Sequence, residues 1–175
     1  MKRAVSAFLA FSVIALFAQS NPSLSPSPAL PTVDGTVADG EYQFSTLVSG
    51  MTIGVTLGTD GNLYLSIQAP TSGWVALGVG GRVMSGSRLF IAYDTGSKKF
   101  FSEEKGVGHF HTSAKDSVVS TWAVQQVGGV TTLELVMPAS AAVAKGNLDL
   151  LYAYATTTAF VHHKARGSLS LSVQG

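Results

Sequence analysis

The chain has 175 residues, 46% hydrophobic and only 12% charged, with 11 basic and 10 acidic side chains and a formal net charge of +1. That is enough apolar material for one domain with a sizeable core, and too little positive charge for a nucleic-acid face or a polybasic membrane patch. The absence of cysteine excludes disulfide staples, thiolate zinc sites, iron–sulfur clusters and the covalent attachment of c-type haem.

Residues 1–20 read as a secretory signal peptide. Lys2 and Arg3 form a basic start, residues 4–18 an almost unbroken apolar run, and Ala18-Gln19-Ser20 a small-x-small cleavage site. The run is shorter than the roughly 20 residues a spanning helix needs. The mature chain is therefore expected to lack a membrane span and to be secreted or periplasmic. Without Lys2 and Arg3, nine basic residues face ten acidic ones, a net of −1. Residues 21–31 hold four of the six prolines and are expected to form an extended, disordered linker. The folded domain is expected to occupy residues 32–175.

Within that domain strand signals follow one another closely. Residues 51–57 and 63–69 alternate apolar and polar side chains around an Asp60-Gly61 turn, the pattern of a hairpin. Residues 74–79, 89–93 and 99–103 read as three further strands. Residues 118–127 and 130–136 flank the Gly128-Gly129 turn as a second hairpin, and 148–154 and 168–173 complete the set. One or two helical turns are expected at 139–145, opened by Pro138 and stopped by Gly146. Many short strands with turn punctuation predict an all-β protein, an antiparallel Ig-like β-sandwich of about ten strands in a single domain.

Few residues offer chemistry. Met84 lies in the glycine-bounded loop Gly80-Gly-Arg-Val-Met-Ser-Gly86, after Gly73-Trp-Val-Ala-Leu-Gly-Val-Gly80. A thioether there is either a ligand or a cap on the end of the sandwich. His162 and His163 precede the last strand and, in extended backbone, point to opposite faces. His109 and His111 are two apart and share a face, so with His162 or His163 they offer an alternative copper or zinc site. No Gly-x-Ser-x-Gly elbow or His-Glu-x-x-His helix is present, and the adjacent Glu103 and Glu104 point apart. The residues give no reason to expect an enzyme. Trp74 and Trp122 offer either core packing or a platform for a sugar ring.

The opening Asp34-Gly-Thr-Val-Ala-Asp-Gly-Glu-Tyr42, the Gly-Trp-Val-Ala-x-Gly-x-Gly stretch with its following Met84, and the tail His163-Lys-Ala-Arg-Gly167 resemble the DOMON domain. This module is named from dopamine β-monooxygenase and also forms the cytochrome part of cellobiose dehydrogenase. The resemblance covers about residues 33–173 and implies a β-sandwich of ten or eleven strands. In haem-binding members, the Met after the turn and the His before the final strand hold b-type haem from opposite sides, which implies Met84 and His163 as axial ligands. Trp74, Val83, Leu89, Phe160 and Val161 are the candidate pocket lining. The chain departs from the family pattern at Ser87-Arg88, where members often carry Ala-Asp.

The resemblance thus implies an exported module binding haem b non-covalently and transferring single electrons to a redox partner outside the cytoplasm. Two alternatives stand beside it: a carbohydrate- or small-ligand-binding module of the same fold without haem, and the His-rich copper or zinc protein.

Overall fold

The computed structural model describes residues 22–160 and 162–174, so the leader assigned to 1–20 lies outside the described residues. Thirteen strands follow in chain order: β1 (Ser23–Leu24), β2 (Phe44–Val48), β3 (Met51–Leu57), β4 (Asn62–Ala69), β5 (Val75–Val79), β6 (Arg88–Asp94), β7 (Lys99–Val107), β8 (Phe110–Ser113), β9 (Thr121–Val127), β10 (Val130–Pro138), β11 (Val143–Ala144), β12 (Asn147–Tyr154) and β13 (Ala165–Val173). They form two sheets. The larger has the order β1-β13-β12-β5-β6-β7-β8 with β11 beside β12, and the smaller β2-β3-β4-β10-β9. The all-β sandwich expected from the strand pattern is what the chain builds.

Alternation along the strands makes the core. Val75, Leu77 and Val79 of β5, Phe90 and Ala92 of β6, and Leu148 and Leu150 of β12 point inward. They meet Ile53, Val55, Leu65, Ile67, Leu133 and Leu135 of the smaller sheet. Among the described residues no buried side-chain nitrogen or oxygen lacks a hydrogen-bond partner. One buried charge sits on the outer face of the smaller sheet. Glu134 accepts hydrogen bonds from Tyr42 Oη at 2.8 Å, Gly35 N at 2.8 Å and Asp34 N at 3.1 Å, which ties down the segment leading into β2.

Two expectations are corrected. The proline-rich stretch 21–31 is not a free linker over its described part. Ser23 and Leu24 pair in parallel with Ser172 and Val173, Ser27 N donates to Leu57 O at 2.8 Å, and Leu24 is 1% exposed within the core. Proline suits an edge position of this kind, because only one side of the strand needs donors. The expected helix at 139–145 is a single 3-10 turn over Ala139–Ala141 followed by β11. Lys145 and Gly146 both take positive φ, 51° and 71°, and form the two-residue turn that returns Val143 and Ala144 along Leu148 and Asn147. Gly146 thus closes a hairpin instead of stopping a helix.

Candidate functional site

The site is built on the outer face of the larger sheet. Because Val75, Leu77 and Val79 enter the core, Ala76 and Gly78 between them face outward. The strand registers extend that face into rows. Ser168, Leu151, Gly78, Leu89 and Glu104 align across β13, β12, β5, β6 and β7, and Arg166, Ala153, Ala76, Ile91 and Ser102 form the next row. At its centre the floor is made of small side chains, Ala76, Gly78 and Ala153, bounded by Leu89, Ile91 and Leu151. A Cβ on Gly78 would lie 2.8 Å from Leu89 Cδ2 and 3.2 Å from Leu151 Cβ, so even a methyl group there would meet the walls.

Two loops rise over this floor from opposite ends. β5 and β12 are antiparallel, with Val79 opposite Leu150 and Val75 opposite Tyr154. The loop 80–87 after β5 and the loop 155–164 after β12 therefore leave at opposite edges, separated by about 13 Å of strand. The first carries Met84 and the second His163. Both residues line one open cavity of about 1260 Å³, larger than the roughly 300–1,000 Å³ of typical small-molecule pockets. His109, His111 and His162 line it as well.

Each loop is held by specific bonds. In the first, Gly86 N donates to Gly106 O and Gly106 N to Ser87 O, both at 2.9 Å. Ser87 Oγ donates to Val83 O at 2.6 Å, and Gly108 N donates to Ser85 Oγ at 3.2 Å. The Ser87-Arg88 departure has a structural use: Ser87 closes the loop, and Arg88 bonds Glu103 at 2.8 Å and Asp116 at 3.1 Å, away from the cavity. In the second loop, Trp74 N donates to Thr157 O at 3.1 Å and Trp74 Nε1 to Ala159 O at 3.0 Å, while Lys164 N donates to Tyr154 O at 2.6 Å.

An aromatic wall closes the end where His163 lies. Tyr93 and Phe100 stack at 4.8 Å, and Phe160 leans on both at 6.2 and 5.4 Å while meeting Trp74 edge-on at 6.3 Å. Of the expected lining, Trp74, Val83, Leu89 and Phe160 border the cavity, and Val161 lies outside the described residues. Leu89 and Trp74 are each 8% exposed, whereas Val83 stands on the rim at 66%. With its ring packed and its N–H engaged, Trp74 is a wall and not an open sugar platform. Trp122 stacks on Phe101 at 4.8 Å, outside the cavity.

The histidines differ in setting. Partial desolvation, then the neighbouring Arg166 and His162 charges, push the His163 imidazole below its ordinary pKa of 6.5. The neutral ring, whose lone pair can bind a metal, is thereby favoured at neutral pH. His111 Nδ1 lies 3.6 Å from the carboxylate of Glu104, which also accepts from Ser102 Oγ. Although all four histidines border one cavity, among the described residues no three His, Cys, Asp or Glu side chains converge to hold an ion. The alternative copper or zinc site from His109, His111 and His162 or His163 is not assembled.

The contributions of Ala76, Gly78, Ile91, Leu151, Ala153, Tyr93 and Phe100 were not anticipated from sequence. The signal lay in the outward positions of strands that had been recognised. These positions are apolar although they point away from the core, which marks a covered or ligand-bearing face.

No protein-family model matches the sequence, and no curated protein matches it. Among solved structures, the fold is similar to the cytochrome b domain of pyranose dehydrogenase from Coprinopsis cinerea. The two share 12% identity with a TM-score of 0.58, over 73% of this chain and 80% of that one. It is also similar to the cytochrome domain of Myriococcum thermophilum cellobiose dehydrogenase, at 14% identity and a TM-score of 0.55, over 75% of this chain and 81% of that one.

Proposed function

From a chain that folds like the DOMON-type cytochrome domains of two sugar dehydrogenases, we propose an exported module that binds haem b and carries single electrons. The observation that carries this reading is the convergence of Met84 and His163, from loops at opposite ends of one sheet face, on one apolar-floored cavity. The donor set and the floor both fit the group. A thioether and a neutral imidazole suit a low-spin haem iron, and the small side chains of Ala76 and Ala153 on the cavity floor leave room for a flat macrocycle.

With haem b bound, the group would supply a one-electron iron couple. The chain's residues then have binding and insulating roles. Met84 and His163 would hold the iron. Leu89, Ile91 and Leu151 exclude water from the floor, and Trp74 pins the loop that presents His163. None has to act as acid, base or nucleophile. The basic start, apolar run and small-x-small site of residues 2–20 support export, secreted or periplasmic, and the module would then serve a redox partner outside the cytoplasm.

The test is a haemin titration of the mature protein followed by dithionite reduction, repeated on Met84→Ala and His163→Ala. Saturation at one haem per chain with resolved α and β bands, lost in either variant, is the expected result. Weak, non-saturating absorption, or variants spectrally identical to the wild type, would overturn the reading.

A further inference from the structure

The lining of the cavity has an uneven charge. Among the described residues that border it, Arg82 and Arg166 are the permanently charged ones, and no Asp, Glu or Lys joins them. They are placed alike relative to the two candidate ligands. Arg82 lies two residues before Met84 on the first loop, and Arg166 three after His163 at the start of β13, opposite Ala153 on the cavity face. Each candidate ligand thus has a guanidinium within three residues of it in the chain.

Both guanidinium groups are uncommitted. Nearby Arg88 spends its donors on Glu103 and Asp116, whereas Arg82 and Arg166 make no ion pair or side-chain hydrogen bond among the described residues. Two unpaired guanidinium groups at a cavity lined by no other permanently charged side chain raise the local positive potential and favour an anionic occupant. The planar guanidinium fork matches a carboxylate bidentately, which an ammonium does not.

We propose that Arg82 and Arg166 bind carboxylates of the occupant, and that with haem b these are its two propionates. The assignment deepens the haem reading and rests on it. The same chemistry could instead serve acidic side chains of a docking protein, and the measurement separates the two sources.

Haemin and haemin dimethyl ester, whose propionates are neutral, are titrated into the wild type, Arg82→Ala, Arg166→Ala and the double variant. The ester should bind the wild type with the same low-spin spectrum but about tenfold or more weaker. Each single variant should weaken haemin roughly fivefold to tenfold and leave ester affinity unchanged. Equal affinity of the wild type for haemin and ester would overturn the assignment while leaving haem binding intact. So would variants that weaken both ligands equally, which would make the arginines shape-forming. Variants with normal haemin affinity but slower reduction by an acidic partner protein would also overturn it and mark the pair as a docking site. If neither haemin nor ester gives a saturable spectrum, the haem reading itself fails.

Discussion

Gly106 of β7 lies directly against the backbone of Met84: a Cβ built on Gly106 would overlap the Met84 carbonyl and approach its Cγ to 3.1 Å. The neighbouring strand and the Met84 loop are in contact without an intervening side chain, and two hydrogen bonds at 2.9 Å seal the junction. The height of the thioether over the floor is therefore set by a residue distant in sequence, one that neither ligates nor lines the cavity.

Gly106→Ala should displace the loop and with it Met84. The expected outcome is a folded protein, destabilised by about 1–3 kcal/mol, whose haemin affinity falls at least tenfold while His163 ligation persists. Circular dichroism melting and haemin titration check the two halves. Unchanged affinity with an unchanged low-spin spectrum would show that the loop finds its position without this contact.

Among the described residues of the proline-rich segment, Leu24 is the side chain that reaches the main core, at 1% exposure. Leu24→Ala should cost about 2–3 kcal/mol in chemical denaturation, and a truncation beginning at Thr32 should cost at least as much. A truncated protein as stable as the intact one would restore the view of residues 21–31 as a spacer.

Two hydrogen-bonded carboxylates, Glu134 and Glu103, should give opposite pH signatures. Burial raises the Glu134 pKa above its ordinary 4.5, incompletely offset by hydrogen bonds from Tyr42, Gly35 and Asp34. A raised folded pKa means that its contribution is complete below about pH 4.5 and declines as pH rises through the folded value. Relative to Glu134→Gln, the wild type should lose stability on going from pH 4.5 towards neutral.

At Glu103 burial also opposes ionisation. Bonds from Ser117, Val118 N, Arg88 and Val119 N outweigh it and hold the carboxyl below 4.5. Its contribution is present above the ordinary value and lost as pH falls through the lowered one. The advantage of the wild type over Glu103→Gln should shrink below about pH 4.5. Denaturant midpoints across pH 3–7 decide both cases, and parallel curves for wild type and variant would refute either.

Much of the fold was readable because its turns are punctuated. Asp60-Gly61 and Gly128-Gly129 sit between runs of period two, and both hairpins form where those runs predict. β2 was missed although Asp39-Gly40 and Ser49-Gly50 bracket it with turns, because Phe44–Val48 is half-exposed on an edge and shows no strong apolar run. The segment around Leu24 was misread because proline content reflects composition, whereas its docking depends on one leucine and a free sheet edge.

At the site, Met84 and His163 stood out by chemistry and setting, and their convergence on one cavity follows from strand order. β5 lies next to β12 only through a pairing across some seventy residues. No local pattern reports such a pairing, so the floor of Ala76, Gly78 and Ala153 became visible only once the strands were assembled.

The alternation on β5 divides two roles between neighbouring positions. Val75, Leu77 and Val79 answer to the sandwich interior, while Ala76 and Gly78, one position away, answer only to whatever lies on the sheet. A change at Ala76 leaves the packed interior untouched, whereas at Gly78 any side chain would press on Leu89, the Arg88 carbonyl and Leu151. What the sheet carries and what holds the sandwich together are thus set by different residues of the same strand, one position apart.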